Sequence, residues 1–278
     1  MAGITTRNVR PMIIELFGPP AAGKTTLAHA LATALEKNGF DVQLVTSSRP
    51  AERGSVKVET YRALSWFRTA LGHPLSRAAK LLSAAPVLLA SARSDELTAR
   101  LMDLLPARSV WSSVRFRRFL FLLSRSWKKA RAHDRIVIFD QGFMTLLCSM
   151  ALRARSVDRN VIMRGLALIP RPHLLVLLDA PTETLQARLR ARLGRQCAIE
   201  RWFEFDLQTS LQQIGMTSEV SHMLQQQGSH MLRVSSLDHR LLEIAVDRIV
   251  REIKMGRIDP SHQSLKQRRS IVRVSNEA

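Results

Sequence analysis

Met12–Leu27 reads MIIELFGPPAAGKTTL. The apolar run Met12–Phe17 has the length and composition of a buried strand, and the alanine- and leucine-rich stretch from Lys24 to near Gly39 reads as a helix. Between them Gly18, Pro19, Pro20, Ala21, Ala22, Gly23, Lys24 and Thr25 fit the spacing G-x-x-x-x-G-K-[ST] of a phosphate-binding loop. The chemistry explains the spacing. A loop that wraps a polyphosphate turns its N–H groups inward, and glycines at both ends let the backbone approach the anion without a Cβ in the way. The following helix, opened by Lys24, Thr25 and Thr26, adds its N-terminal N–H groups and the positive end of its dipole. In such loops the lysine reaches the β- and γ-phosphates and the hydroxyl ligates Mg2+, roles that fall here to Lys24 and Thr25.

The whole chain has 278 residues, 46% of them hydrophobic and 23% charged, which is a globular composition with one large domain or one domain carrying an insertion. Its formal net charge of +19 draws it toward anionic partners: nucleic acid, an acidic membrane face or a polyanionic polymer. Part of that charge is also what ATP and a phosphorylated acceptor require. Cys148 and Cys197 stand far apart with no C-x-x-C spacing, so neither a disulfide framework nor a zinc site is supported. The first ten residues contain no apolar core of signal-peptide length. The later apolar stretch from Leu81 to Ala92 contains Pro86 and falls short of the roughly 20 residues that span a bilayer. The expected location is the cytoplasm.

Along the chain, residues 1–10 read as a flexible tail and Asp41 to Thr46 as a second strand. Arg49 lies just past that strand's carboxyl end, the edge where ligands bind in open α/β sheets; it is either an acceptor contact or an exposed loop arginine. From Val58 to His133 the pattern is helical, with segments predicted over Glu59–Leu71, Leu75–Ala92, Asp95–Leu105 and Val110–Ala132. In the last of these Phe116, Leu120, Leu123, Trp127 and Ala130 share one face, expected to be core. Arg115, Arg118, Arg125 and Lys129 form a basic stripe that is a solvated face, an acceptor-cavity wall or an anion-binding surface.

Arg135 to Asp140 (RIVIFD) and His173 to Asp179 (HLLVLLD) are continuous apolar runs ending in an acid, as in parallel strands buried on both faces. An acid at the end of such a strand holds Mg2+ in phosphate-loop proteins, which makes Asp140 the second metal candidate; the competing role is an N-cap for the helix predicted over Phe143–Arg153. The helix from Thr182 to Leu193 carries Arg188 and Arg192 four apart on one face, with Arg190 pointing away and Gly194 as its stop. Arg233–Ser236 reads as a last short strand and its loop, and Leu237–Lys254 as an amphipathic closing helix. Residues 256–278 are polar and basic, with the composition of a disordered tail.

This order of parts resembles the nucleoside-monophosphate kinases and is closest to thymidylate kinases. The residues that carry the resemblance are GPPAAGKTT at Gly18–Thr26, FDQG at Phe139–Gly142, LDAPTETLQARLRAR at Leu178–Arg192 and VSSLD at Val234–Asp238. The resemblance implies a three-layer α/β P-loop fold over residues 11–255, with a parallel sheet, helices on both faces, a helical insertion at 56–134 and a lid at 193–225. It implies ATP and Mg2+ as cofactors, Arg188 and Arg192 at the nucleotide phosphates or the transferring phosphoryl, and Ser236 beside the adenine. Arg49-Pro50 looks like a worn version of the family's acceptor-contacting Arg-Glu-Pro loop. Where the family follows its aspartate with an arginine that grips the acceptor's monophosphate, this chain has Gln141.

The reading is therefore an ATP- and Mg2+-dependent kinase with Lys24, Asp140, Arg188 and Arg192 as catalytic residues. Its acceptor is a nucleotide, a nucleoside, or a sugar or glycan, and Gln141 favours the acceptors that are not monophosphates. From a different class comes a P-loop ATPase or nucleotide-dependent switch docking to an anionic membrane or nucleic acid, which the +19 charge suits. The N-K-x-D motif of GTPases and the L-S-G-G-Q motif of transporter ATPases are both missing from the sequence. Partners are ATP and a small-molecule acceptor; an anionic membrane or polyanion, and a second copy of the chain, stay open.

Overall fold

The apolar runs of the sequence form strands β1 (Met12–Phe17), β2 (Val42–Val45), β3 (Ile136–Phe139), β4 (Leu174–Leu178) and β5 (Met231–Val234). The computed structural model describes residues 11–46, 95–154, 157–195, 207–235 and 237–255. The strands form one sheet in the order β2-β3-β1-β4-β5, every pair parallel. In chain order the described helices are α1 (Lys24–Lys37), α2 (Glu96–Leu104), α3 (Val110–Ala132), α4 (Phe143–Arg153), α5 (Arg159–Leu168), α6 (Thr182–Arg195), α7 (Leu207–Gln226) and α8 (His239–Lys254).

Strand side chains alternate between the two faces, and each face finds its own helices. Ile14, Leu16, Ile136, Ile138, Val176 and Leu178 pack with Leu27, Leu31 and Leu35 of α1 and with Ile249 and Ile253 of α8. On the other face Ile13, Phe17, Val137, Phe139, Leu175 and Leu177 pack with residues of α3, α4 and α7. A parallel sheet needs both faces covered, and here both are, giving the three-layer α/β fold. Phe116, Leu120, Leu123, Trp127 and Ala130 of α3 are all buried, as their spacing predicts. Trp127 stands over Phe139 and Phe143, with ring centroids at 4.9 Å and 5.2 Å, so it joins α3 to the turn after β3.

Helices α3 and α4 have the predicted bounds, while α6 runs through Gly194 to Arg195 instead of stopping there. An interior glycine costs a helix only about 1 kcal/mol, which neighbouring turns can absorb. Within the span expected to be a lid, α7 lies against α4 through a polar seam: Gln213 Nε2 donates to Ser149 Oγ at 3.3 Å, and Ser210, Thr217 and Ser221 are also buried. No described helix is long and apolar enough to cross a membrane. The predicted helices at 59–71 and 75–92, and the two terminal tails, lie outside the described residues.

Candidate phosphate and metal site

The site forms at the carboxyl edge of the sheet, where the loops after β1, β3 and β5 meet. Gly18 leaves β1 with φ 152, and a Cβ there would come within 2.7 Å of the Leu178 carbonyl oxygen, so only glycine fits. Ala21 takes the left-handed conformation, φ 64, and Ala22 N–H closes a turn onto the Pro19 carbonyl at 3.3 Å. The loop ends at Gly23, the N-cap of α1, which provides no side-chain cap to the helix. That leaves the helix end suited to an anion.

Lys24 folds back over the loop. Its Nζ donates to the carbonyls of Gly18 and Pro19, each at 2.8 Å, holding the ammonium at the loop's mouth. Thr25 Oγ1 donates to Asp140 Oδ2 at 3.3 Å, although the two residues are 115 apart in sequence. They meet because β3, which ends in Asp140, is hydrogen-bonded directly alongside β1. Asp140 is 1% exposed and its backbone N–H is bonded to the Val45 carbonyl at 3.2 Å, so β2 holds it as well. It does not cap α4: the N-cap is Gly142.

Among the described residues no three His, Cys, Asp or Glu side chains converge into a metal cage. Mg2+ does not require one, since it is commonly held by one or two carboxylates with waters and substrate phosphates. A threonine hydroxyl beside a buried carboxylate, next to a phosphate loop, is a donor set that fits it.

Arg188 of α6 closes the third side. Its Nη1 donates to the Ala21 carbonyl at 3.3 Å and its Nη2 to the Leu237 carbonyl at 2.6 Å, joining the phosphate loop to the loop after β5. Arg190 is exposed on the opposite side of the helix. Thr26 is exposed on the first turn of α1, Pro20 is half-buried in the loop, and Gln141 is half-buried directly after Asp140. Arg192 falls within α6 with its side chain outside the described ones; Arg49 and Ser236 lie outside the described residues.

One ionisable residue of this region escaped the sequence reading. Glu15, in the middle of β1, is fully buried between Ile13 and Phe17 on the face covered by α3, α4 and α7. Its Oε1 accepts the Met144 N–H at 2.7 Å, and its Oε2 has no hydrogen-bond partner. Burial pushes the carboxyl up to about 8, against the smaller opposing effect of the Met144 N–H. The signal in the sequence was a single acid inside an otherwise apolar strand. Cys148, near it on α4, is also fully buried, and burial, with Glu15 adding to it, pushes its thiol up to about 12, which makes it inert at neutral pH.

Solved structures similar to this chain include two kinases. Thymidylate kinase from Ehrlichia chaffeensis is 14% identical, with 86% of this chain and 97% of that chain covered, at a TM-score of 0.40. Deoxyadenosine kinase from M. mycoides, solved with bound dATP, is 13% identical, with 87% and 100% covered, at a TM-score of 0.44. No curated protein matches the sequence. A family model described as an AAA domain matches residues 13–204, from β1 past the end of α6, and the chain belongs to that AAA domain family.

Proposed function

We propose that this chain is an ATP- and Mg2+-dependent kinase that moves the γ-phosphoryl group to a small acceptor. The observation that carries the reading is the meeting of Thr25 and Asp140 beside the phosphate loop, with Lys24 and Arg188 on either side of it. Phosphoryl transfer asks a protein for positioning and for fixed positive charge, and little covalent chemistry.

Thr25 and Asp140 would hold the ion, which when bound neutralises charge on the β- and γ-phosphate oxygens. Lys24 exchanges its two loop carbonyls for phosphate oxygens when nucleotide enters, so its ammonium is already at the place of use. Arg188 exchanges the Ala21 carbonyl in the same way and brings a planar fork of donors to the transferring group. By the family resemblance, Arg192 would complete the cationic pair and Ser236 would neighbour the base. As the acceptor oxygen bonds to Pγ and the bridge to the β-phosphate breaks, the acceptor's hydroxyl proton passes to Asp140.

For the acceptor, Gln141 directly after Asp140 offers an amide where a monophosphate would call for a cation. That favours a nucleoside, a sugar or a glycan end over a nucleotide, with Arg49 contacting an anionic group if the acceptor carries one. The test is ADP release with Mg2+ across nucleosides, nucleoside monophosphates, sugars and short glycans. Acceptor-dependent ADP supports the kinase; ADP formed without an acceptor, and rising with anionic lipid or nucleic acid, opposes it.

A further inference from the structure

Helix α4 starts without a cap of its own. Its N-cap, Gly142, has no side chain, and the usual Ser, Thr, Asn or Asp that would accept an N–H of the first turn is missing. The acceptor comes from elsewhere: Glu15 Oε1, 129 residues away on β1, takes the Met144 N–H at 2.7 Å. The two residues interlock. A Cβ on residue 142 would come within 2.4 Å of Glu15 Cδ and 2.5 Å of Oε1, so the carboxyl occupies the space that a capping side chain on residue 142 would need. The backbones agree with this, because Glu15 pairs in register with Phe139, the residue before Asp140.

We infer that Glu15 is a positioning residue: by capping α4 from the central strand, it fixes the turn Asp140-Gln141-Gly142 and so the carboxylate and amide that face metal and acceptor. This rests on the metal role proposed for Asp140. The turn is then fastened at three points, to β2 through Asp140 N–H, to α1 through Thr25, and to β1 through Glu15. With the cap on residue 142 instead, the turn would keep its bonds to β2 and α1 and lose the one to β1, the strand that leads into the phosphate loop.

The test uses the full chain without an acceptor. ATP affinity is titrated with Mg2+ and with chelator, and hydrogen exchange is followed at the Met144 amide, for the wild type, Glu15→Gln, Glu15→Leu, Glu15→Ala, Gly142→Ser and the pair Glu15→Ala/Gly142→Ser. Glu15→Leu should expose the Met144 amide and lose about 10- to 100-fold of the affinity that Mg2+ adds, with ATP affinity in chelator unchanged. Glu15→Gln keeps an acceptor oxygen and should behave as wild type. Gly142→Ser alone should fail as Glu15→Leu does, while the pair, which moves the cap onto the helix, should recover amide protection and part of the Mg2+ effect relative to Glu15→Ala. If Glu15→Leu does not fold, the comparison of the pair with Glu15→Ala decides. A folded Glu15→Leu with the wild-type Mg2+ effect, a harmless Gly142→Ser, or a pair no better than Glu15→Ala would overturn the inference. Failure of the kinase reading shows separately, as a wild type that forms no acceptor-dependent product.

Discussion

Thr25 Oγ1 donates to Asp140 Oδ2 at 3.3 Å, joining the first turn of the helix after the phosphate loop to the end of the neighbouring strand. Both side chains are hard oxygen donors, and they meet beside the phosphate loop. Asp140→Asn should therefore keep the fold and lower Mg2+-dependent turnover by about 100-fold or more, with ATP binding in chelator little changed. Steady-state kinetics over a Mg2+ series, beside ATP titrations in chelator, check it; an unchanged Mg2+ dependence would remove Asp140 from the metal site.

Arg188 bridges the Ala21 and Leu237 carbonyls. Arg188→Ala should lower kcat by about 100- to 1,000-fold if the guanidinium stabilises the transferring group. The two lost hydrogen bonds should cost on the order of 1–3 kcal/mol of stability. Arg188→Lys restores charge without the fork and should recover only part of the rate. A full recovery by lysine would mean that charge alone matters at this position.

Ala21 is the one described non-glycine residue with positive φ, at 64°. The left-handed region costs an L-residue about 1–2 kcal/mol, whereas glycine's extra freedom in the unfolded chain costs about 0.4–1 kcal/mol. Ala21→Gly should accordingly be neutral or raise stability by up to about 1.5 kcal/mol, and Ala21→Val should lower it. Chemical denaturation at neutral pH measures both.

A half-buried histidine and a fully buried glutamate bend the pH dependence of stability in opposite directions. His173 Nδ1 accepts the Ile13 N–H at 2.8 Å, and burial, then Arg131, lowers its pKa below the ordinary 6.5. Its contribution is full above that value and is lost as pH falls through it toward the lowered folded one. Glu15 runs the other way: raised from 4.5 to about 8, it contributes fully below the lower value and loses that contribution as pH rises to the upper one, with a ceiling of about 5 kcal/mol. Glu15→Gln should remove a decline that runs from about pH 4.5 to about 8, flattening the curve above roughly pH 6.5 and steepening the His173 rise below it. Denaturation midpoints across pH 4–9 would show it; an unaltered slope above neutrality contradicts the burial of a titrating Glu15.

The phosphate loop, the helices over 110–132 and 143–153 and the buried stripe of α3 were legible because each is a local pattern. Helix α7 was not, since the buried side of Leu207–Gln226 includes Ser210, Gln213, Thr217 and Ser221, and a polar seam erases apolar periodicity. Helix α5 is short and carries Gly165 packed on Leu147, although Asp158, which caps it by accepting the Val161 N–H, was a usable start signal. At the site, Lys24, Thr25 and Asp140 could be read from spacing and from strand ends. Glu15 left only a single acid inside an apolar strand as its trace, and its role could not be read because its partner lies 129 residues away.

The most direct measurement follows the γ-phosphorus of ATP by ³¹P NMR in the presence of Mg2+ and each acceptor class, for the wild type and for Lys24→Ala. The account predicts a new phosphate-ester signal with stoichiometric ADP for one acceptor class in the wild type. It predicts no such signal in Lys24→Ala, which should stay folded because substitutions outside the core usually cost little stability. Inorganic phosphate as the sole product with every acceptor, or a Lys24→Ala protein that transfers as fast as the wild type, would contradict it.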